Sequence, residues 1–209
     1  MDGVILSRTV ENDALVEVLD QRGIPFATMG SLPANGKGKA TVEADHDQVG
    51  GCSAFAATFL REHQGKIGLL GNDMNYIVNQ SRYTGFMQGA KTLGICDEDI
   101  LFSPGLGNAI ACFKAVDALL NAGVKRIVAM DEEICLNVLM HLRECGLEGA
   151  VQVGSLYDSS QLSQWKPGIS ALSFDATELG RVTCRELLHY LRDEEFDPTP
   201  TLGYRILMR

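Results

Sequence analysis

The sequence lacks any apolar run of the ~20 residues that a membrane-spanning helix needs. Its opening Met1-Asp2-Gly3 carries no basic stretch of the kind that begins an export signal. Neither an embedded nor an exported chain is expected, and the cytoplasm is the expected compartment. Positive charge is scarce as well. Lys and Arg number 18 against 27 Asp and Glu, a formal net charge of −9. Phosphate contacts need clustered cations, so this polypeptide is not expected to grip nucleic acid by itself.

Other absences narrow the chemistry. The six cysteines, at 52, 96, 112, 135, 145 and 184, form no Cys-x-x-Cys pair, and the four histidines, at 46, 63, 141 and 189, are scattered. Reduced thiols, most of them in the core, and no metal site are the expectation. Gly-x-Ser-x-Gly is absent, so Gly51-Cys52-Ser53 and Gly154-Ser155 are not nucleophile elbows. Asp131-Glu132-Glu133 could suggest acid-base or metal work, but Glu132 and Glu133 suit the positive start of a following helix. No nucleophile, base and orienting group assemble, so no enzyme and no cofactor are expected. The run Gly36-Lys37-Gly38-Lys39 lacks Walker spacing and a Ser or Thr after the lysine, which makes it a surface turn. There is no internal repeat and no low-complexity tract.

What the 209 residues do contain is an alternation of strand and helix patterns. Strands are expected at Val4–Leu6, Ile24–Met29, Ala40–Asp45, Ile67–Leu70, Ile100–Phe102, Arg126–Met130, Val151–Gly154, Ile169–Phe174 and Tyr204–Met208. Helices are expected around Leu15–Leu19, from about Val49 to His63, through Phe86, Ala90 and Leu93, through Ile110–Leu120, through Ile134–Leu142, and over Glu178–Leu191. Ser31–Lys39 and Ser155–Pro167, the latter holding the single Trp165, are expected loops. This order predicts an α/β fold with parallel sheets.

The organising stretch is Gly65 to Cys96. Ile67, Leu69 and Leu70 lie between Gly65 and Gly71, the pattern of a strand buried on both faces. A polar loop with Asn72 and Asp73 follows, then a helix whose entrance is expected to carry Arg82 and which Gly94 closes. A loop at the carboxyl end of a parallel strand is where open α/β sheets bind ligands. Arg82 therefore reads as a ligand contact or as a solvated cation on a helix surface.

Several segments, in their order and spacing, resemble the effector-binding core of the LacI/GalR family of bacterial transcription regulators. They are Asp2-Gly3-Val4-Ile5-Leu6, Gly23-Ile24-Pro25-Phe26, Asp45 with Gly50-Gly51, Arg82-x-x-Gly85-Phe86, Gly94, Met130-Asp131-Glu132 and Asp175-x-x-x-Leu179-Gly180. The resemblance implies a periplasmic-binding-protein-like type I fold of two doubly wound parallel-sheet lobes. The first lobe would be residues 1–64 plus about 176–200, and the second 65–175 plus about 201–209. It also implies that the chain starts at the family's third core strand. The first lobe is then expected to be incomplete, with the helix-turn-helix domain, the hinge and the first two strand-helix units absent. Expected partners are a small-molecule effector, sugar or related metabolite, in the cleft between lobes, and a second copy in a homodimer. Operator DNA would be reached only through the absent domain. A solute-binding protein for sugar uptake is the alternative.

The resemblance also implies an effector site. Arg82 matches the family's effector-binding arginine, and Asp131 would face the cleft. Asn72, Asp73, Tyr157 and Phe174 complete the candidates. The family's aspartate matches Leu156 here, and the polar residue often found before Asp131 is Met130. The family's aromatic near Gly107 is missing as well, and for the aspartate Tyr157 or Asp158 is left as a substitute if the loop shifts. A neutral pyranose is accordingly not the expected ligand. An anionic or carbonyl-bearing effector is expected, with its less polar side toward Leu156 and Met130.

Overall fold

The computed structural model describes residues 2–34, 38–62 and 64–209. The Gly36-Lys37 part of the expected surface turn and the His63 end of the expected second helix lie outside the described residues. The chain forms two compact units. The smaller comprises Met1–Gln48, Asn75–Gln80 and Asp175–Tyr204, and the larger Val49–Met74, Ser81–Phe174 and Arg205–Arg209.

The smaller unit holds strands β1 (Val4–Ser7), β2 (Phe26–Met29), β3 (Val42–His46) and β9 (Thr201–Leu202), all parallel in the order β1-β2-β3-β9. Strand β9 was not expected from the sequence. Its two residues carry no alternating pattern, and it exists because it pairs with β3. Helix α1 (Ala14–Gln21) starts where the Asp13 side chain accepts from Leu15 N, satisfying one of the open amides of the first turn. It packs Val16 and Leu19 on Phe26. Helix α7 (Ala176–Leu191), capped by Asp175 on Glu178 N, packs Leu187 on Ala27, Val42 and Ala44.

The larger unit holds β4 (Ile67–Leu70), β5 (Ile100–Ser103), β6 (Arg126–Ala129), β7 (Gln152–Ser155), β8 (Ser170–Ser173) and β10 (Arg205–Leu207), in the order β10-β8-β7-β6-β4-β5. All pairs are parallel except β10 on β8, an antiparallel edge. All four residues of β4 are buried, which is why it reads as an unbroken apolar run rather than an alternating one. Helices α4 (Ala109–Asn121) and α5 (Glu132–Glu144) cover one face and supply Cys112, Val116, Leu119, Ile134, Val138 and Leu142 to the core around Leu70, Ile127 and Val153.

Helix α2 spans Gln48–Phe59 and α3 spans Ile77–Thr92. The two approach closely at glycines. A Cβ on Gly85 would stand 2.4 Å from Val49 O, and one on Gly89 2.2 Å from Ser53 O. Only a residue without a side chain permits this packing.

Two sequence expectations need correction here. Ser155–Pro167 is not loop throughout, because Ser160–Gln164 forms the short helix α6, with Ser159 accepting from Leu162 N and Leu162 buried in the core. The thiols are also not mostly buried. Cys52, Cys112 and Cys135 are buried, whereas Cys96, Cys145 and Cys184 are exposed. Among the described residues no helix is long and apolar enough to cross a membrane.

Candidate functional site

The parallel strands of the larger unit end together, so the residues after β4, β6, β7 and β8 share one edge of the sheet. After β4 come Asn72 and Asp73, after β6 Met130 and Asp131, after β7 Leu156 and Tyr157, and after β8 Phe174. Arg82 reaches this edge from α3. The helix begins at Ile77, earlier than expected, so Arg82 lies in its second turn and not at its entrance. The early start has a cause, because Ile77 N donates to Thr9 O and Tyr76 O accepts from Asn79 N.

Arg82 is 8% exposed, so it is not a solvated surface cation. Its Nη1 donates to Met130 O at 2.8 Å, and its guanidinium carbon stands 5.4 Å from the centre of the Tyr157 ring. The carbonyl fixes the guanidinium in one direction and the ring's negative face supports its charge. A planar, permanently charged group with five N–H donors is thereby oriented at the carboxyl edge of the sheet.

The other candidates have defined local partners. Asp131 caps α5 through an Oδ1 that accepts from Ile134 N at 2.9 Å. Its negative charge is felt by the neighbouring thiols. Burial chiefly, with Asp131 adding to it, pushes Cys112 up to about 11 and Cys135 up to about 12, so both stay protonated at neutral pH. Asn72 turns its Oδ1 onto Asp73 N at 2.9 Å. Tyr157 and Phe174 are partly exposed. Leu156 and Met130 are fully buried, and Leu156 N continues the ladder to Ala129 O at 2.8 Å.

Asp158, one of the two substitutes left for the acceptor at Leu156, is paired within the larger unit. Its carboxylate receives Arg209 Nη1 at 3.3 Å and Nη2 at 3.2 Å, a fork-to-fork pair that holds it at the β8–β10 edge. Nothing in the sequence ties residue 158 to residue 209. A second missed grouping did carry a signal. His141 in the last turn of α5 and Cys145 at its C-cap, four residues apart, face Asp117 of α4, with Nε2 of His141 2.7 Å from Asp117 Oδ1.

The family model of the periplasmic binding protein-like domain matches residues 56–209. The chain belongs to this family. Solved structures place the fold of this periplasmic binding protein-like chain more closely. A regulatory protein of the LacI family from Chloroflexus aggregans superposes with a TM-score of 0.87 at 19% identity, covering 100% of this chain and 75% of that one. The transcriptional regulator CelR in complex with cellobiose gives 0.85 at 22% identity, over 100% of this chain and 65% of that one. A LacI-family regulator from Enterococcus faecium with bound ribose gives 0.83 at 20%, over 100% and 78%. No curated protein matches the chain in sequence. The fold is thus the one these regulators share, and the chain spans about two thirds to three quarters of their length.

Proposed function

We propose that this chain is the effector-sensing and dimerisation core of a LacI-family transcriptional regulator. It binds a small metabolite over the carboxyl edge of the larger sheet, while operator DNA is contacted by a helix-turn-helix domain outside these residues. The observation that carries this reading is the position of Arg82, buried, oriented by the Met130 carbonyl and braced by the Tyr157 ring where the strands end. Sugar-bound relatives of the same fold support a small polar ligand. Cys112 and Cys135, the two thiols near Asp131, are held protonated by burial and offer no thiolate nucleophile there.

In this reading Arg82 donates to an acceptor pair on the effector, Tyr157 stacks on it, and Asp131, Asn72, Asp73 and Phe174 border it. Position 156 offers no carboxylate, so sugar hydroxyls placed there would lose acceptors at about 1–3 kcal/mol each. The favoured effector is therefore anionic or carbonyl-bearing. Titration calorimetry against neutral hexoses, sugar phosphates and small carboxylic acids tests the reading. Binding confined to the charged ligands is expected, and tight binding of an uncharged hexose would overturn the assignment.

A further inference from the structure

Away from the sheet edge, α4 and α5 bring together three metal-ligating side chains that effector binding does not use. Asp117 lies on α4, His141 in the last turn of α5, and Cys145 at its C-cap. Nε2 of His141 is 2.7 Å from Asp117 Oδ1 and 3.9 Å from Cys145 Sγ, and the three ligand atoms all fall within 4.8 Å of one another. The imidazole is the fixed member. Its side chain is 13% exposed, and Phe113 stacks on it at 4.6 Å with the ring planes 12° apart. Asp117 and Cys145 are exposed and can turn toward it.

We propose that Asp117, His141 and Cys145 form a binding site for a zinc-type divalent cation, with a fourth position left to solvent. Imidazole nitrogen, thiolate sulfur and carboxylate oxygen are the donors zinc takes, and a thiolate beside an imidazole selects against magnesium and calcium. The adjustment is small. Ligand atoms ~2 Å from a tetrahedral ion stand ~3.3 Å apart, so the Asp117 oxygen backs away slightly while the sulfur closes in. The thiolate and the carboxylate together balance the charge of the ion.

Protons leave as the ion binds. The Cys145 thiol gives its proton to solvent. His141, whose Nε2–H points at the Asp117 carboxylate, must move its ring proton to Nδ1. That nitrogen is buried and has no hydrogen-bond partner among the described residues. The metal-bound tautomer is therefore left unsatisfied, which places the affinity below that of a closed structural site with a complete outer shell.

The test uses the whole chain, reduced and freed of metal by chelator, titrated with zinc chloride and with cobalt chloride as a spectroscopic probe. One ion per chain is expected, with a thiolate-to-cobalt charge-transfer band. Cys145→Ser removes the band and weakens zinc by at least about 10-fold, since even outer-shell losses cost about 10–100-fold. Asp117→Asn, at an exposed position, weakens zinc without endangering the fold. Cys184→Ser and Cys96→Ser, which remove exposed thiols elsewhere, leave both signals unchanged. Three results overturn the proposal: no binding of either ion, zinc affinity retained in both Cys145→Ser and Asp117→Asn, or a cobalt band lost in Cys184→Ser or Cys96→Ser instead.

Discussion

The two units of this chain solve the same packing problem with different completeness. In the larger, β4 is buried along its whole length and the core runs from Leu70 and Ile127 through both covering helices. In the smaller, β1 stands at the edge of its sheet with an alternating pattern, and Ile5 is 41% exposed. Leu15 at 60% and Val18 at 42% are exposed on α1 in the same unit. An edge strand with exposed apolar neighbours is a surface ready for a further strand or another chain. The difference teaches that the larger unit is anchored by a strand buried on both faces, while the smaller unit pairs an apolar edge with a buried polar anchor in α7.

The largest effect expected from this contrast is at Leu70. Leu70→Ala leaves a void in a fully buried strand and should cost about 2–5 kcal/mol, read from denaturant unfolding. A loss below about 1 kcal/mol would mean that the larger core collapses easily and that the contrast is false.

Next comes Glu186, a buried carboxylate that joins α7 to the segment before β9. Its Oε2 accepts from Asp197 N at 2.9 Å, and its Oε1 receives Arg185. The Asp197 amide first, and then Arg185, hold its pKa below the usual carboxylate value, against the effect of burial. A folded pKa below the unfolded one, ~4.3, gives stability that is full above that value and lost as pH falls through the lowered folded value. Glu186→Gln should therefore cost about 1.5–3 kcal/mol near neutral pH, and the gap to the parent should close in acid. A gap that is constant with pH would show that the charge is not what anchors α7.

The smallest effect is expected at the edge. Ile5→Thr removes exposed apolar surface from β1 and should change stability by no more than about 0.5 kcal/mol. It should also reduce self-association in light scattering. A core-sized loss there would mean that the edge is covered.

How much of this was legible in the sequence depends on how local the cause is. Strand β4 and helix α5 are set by local pattern, an apolar run between glycines and an Asp-Glu-Glu start. Both could be read directly. Helix α6 escaped because five residues with one apolar anchor, Leu162, make no periodicity, and β9 because it exists only through pairing with β3. At the site, the shared strand ends followed from the strand-loop-helix order, whereas that order left Arg82 open between a ligand contact and a surface cation, and only the family resemblance singled it out. The Met130 carbonyl that orients Arg82, and the Arg209 that pairs with Asp158, are contacts across 48 and 51 residues. No spacing rule reports contacts of that range.

The central claim is that Arg82, as oriented by Met130 and Tyr157, anchors an effector. The most direct measurement is thermal unfolding of the whole chain and of Arg82→Lys with the ligand found by calorimetry at about 100-fold over its Kd. For the parent, binding then adds about 2.7 kcal/mol, which at about 2–4 °C per kcal/mol is a rise of about 5–10 °C. Arg82→Lys keeps the charge but loses the planar fork. The account predicts that this variant folds, melts somewhat below the parent because the Met130 contact is weakened, and gains no more than a small fraction of the ligand-induced rise. A variant that keeps the full rise would contradict it.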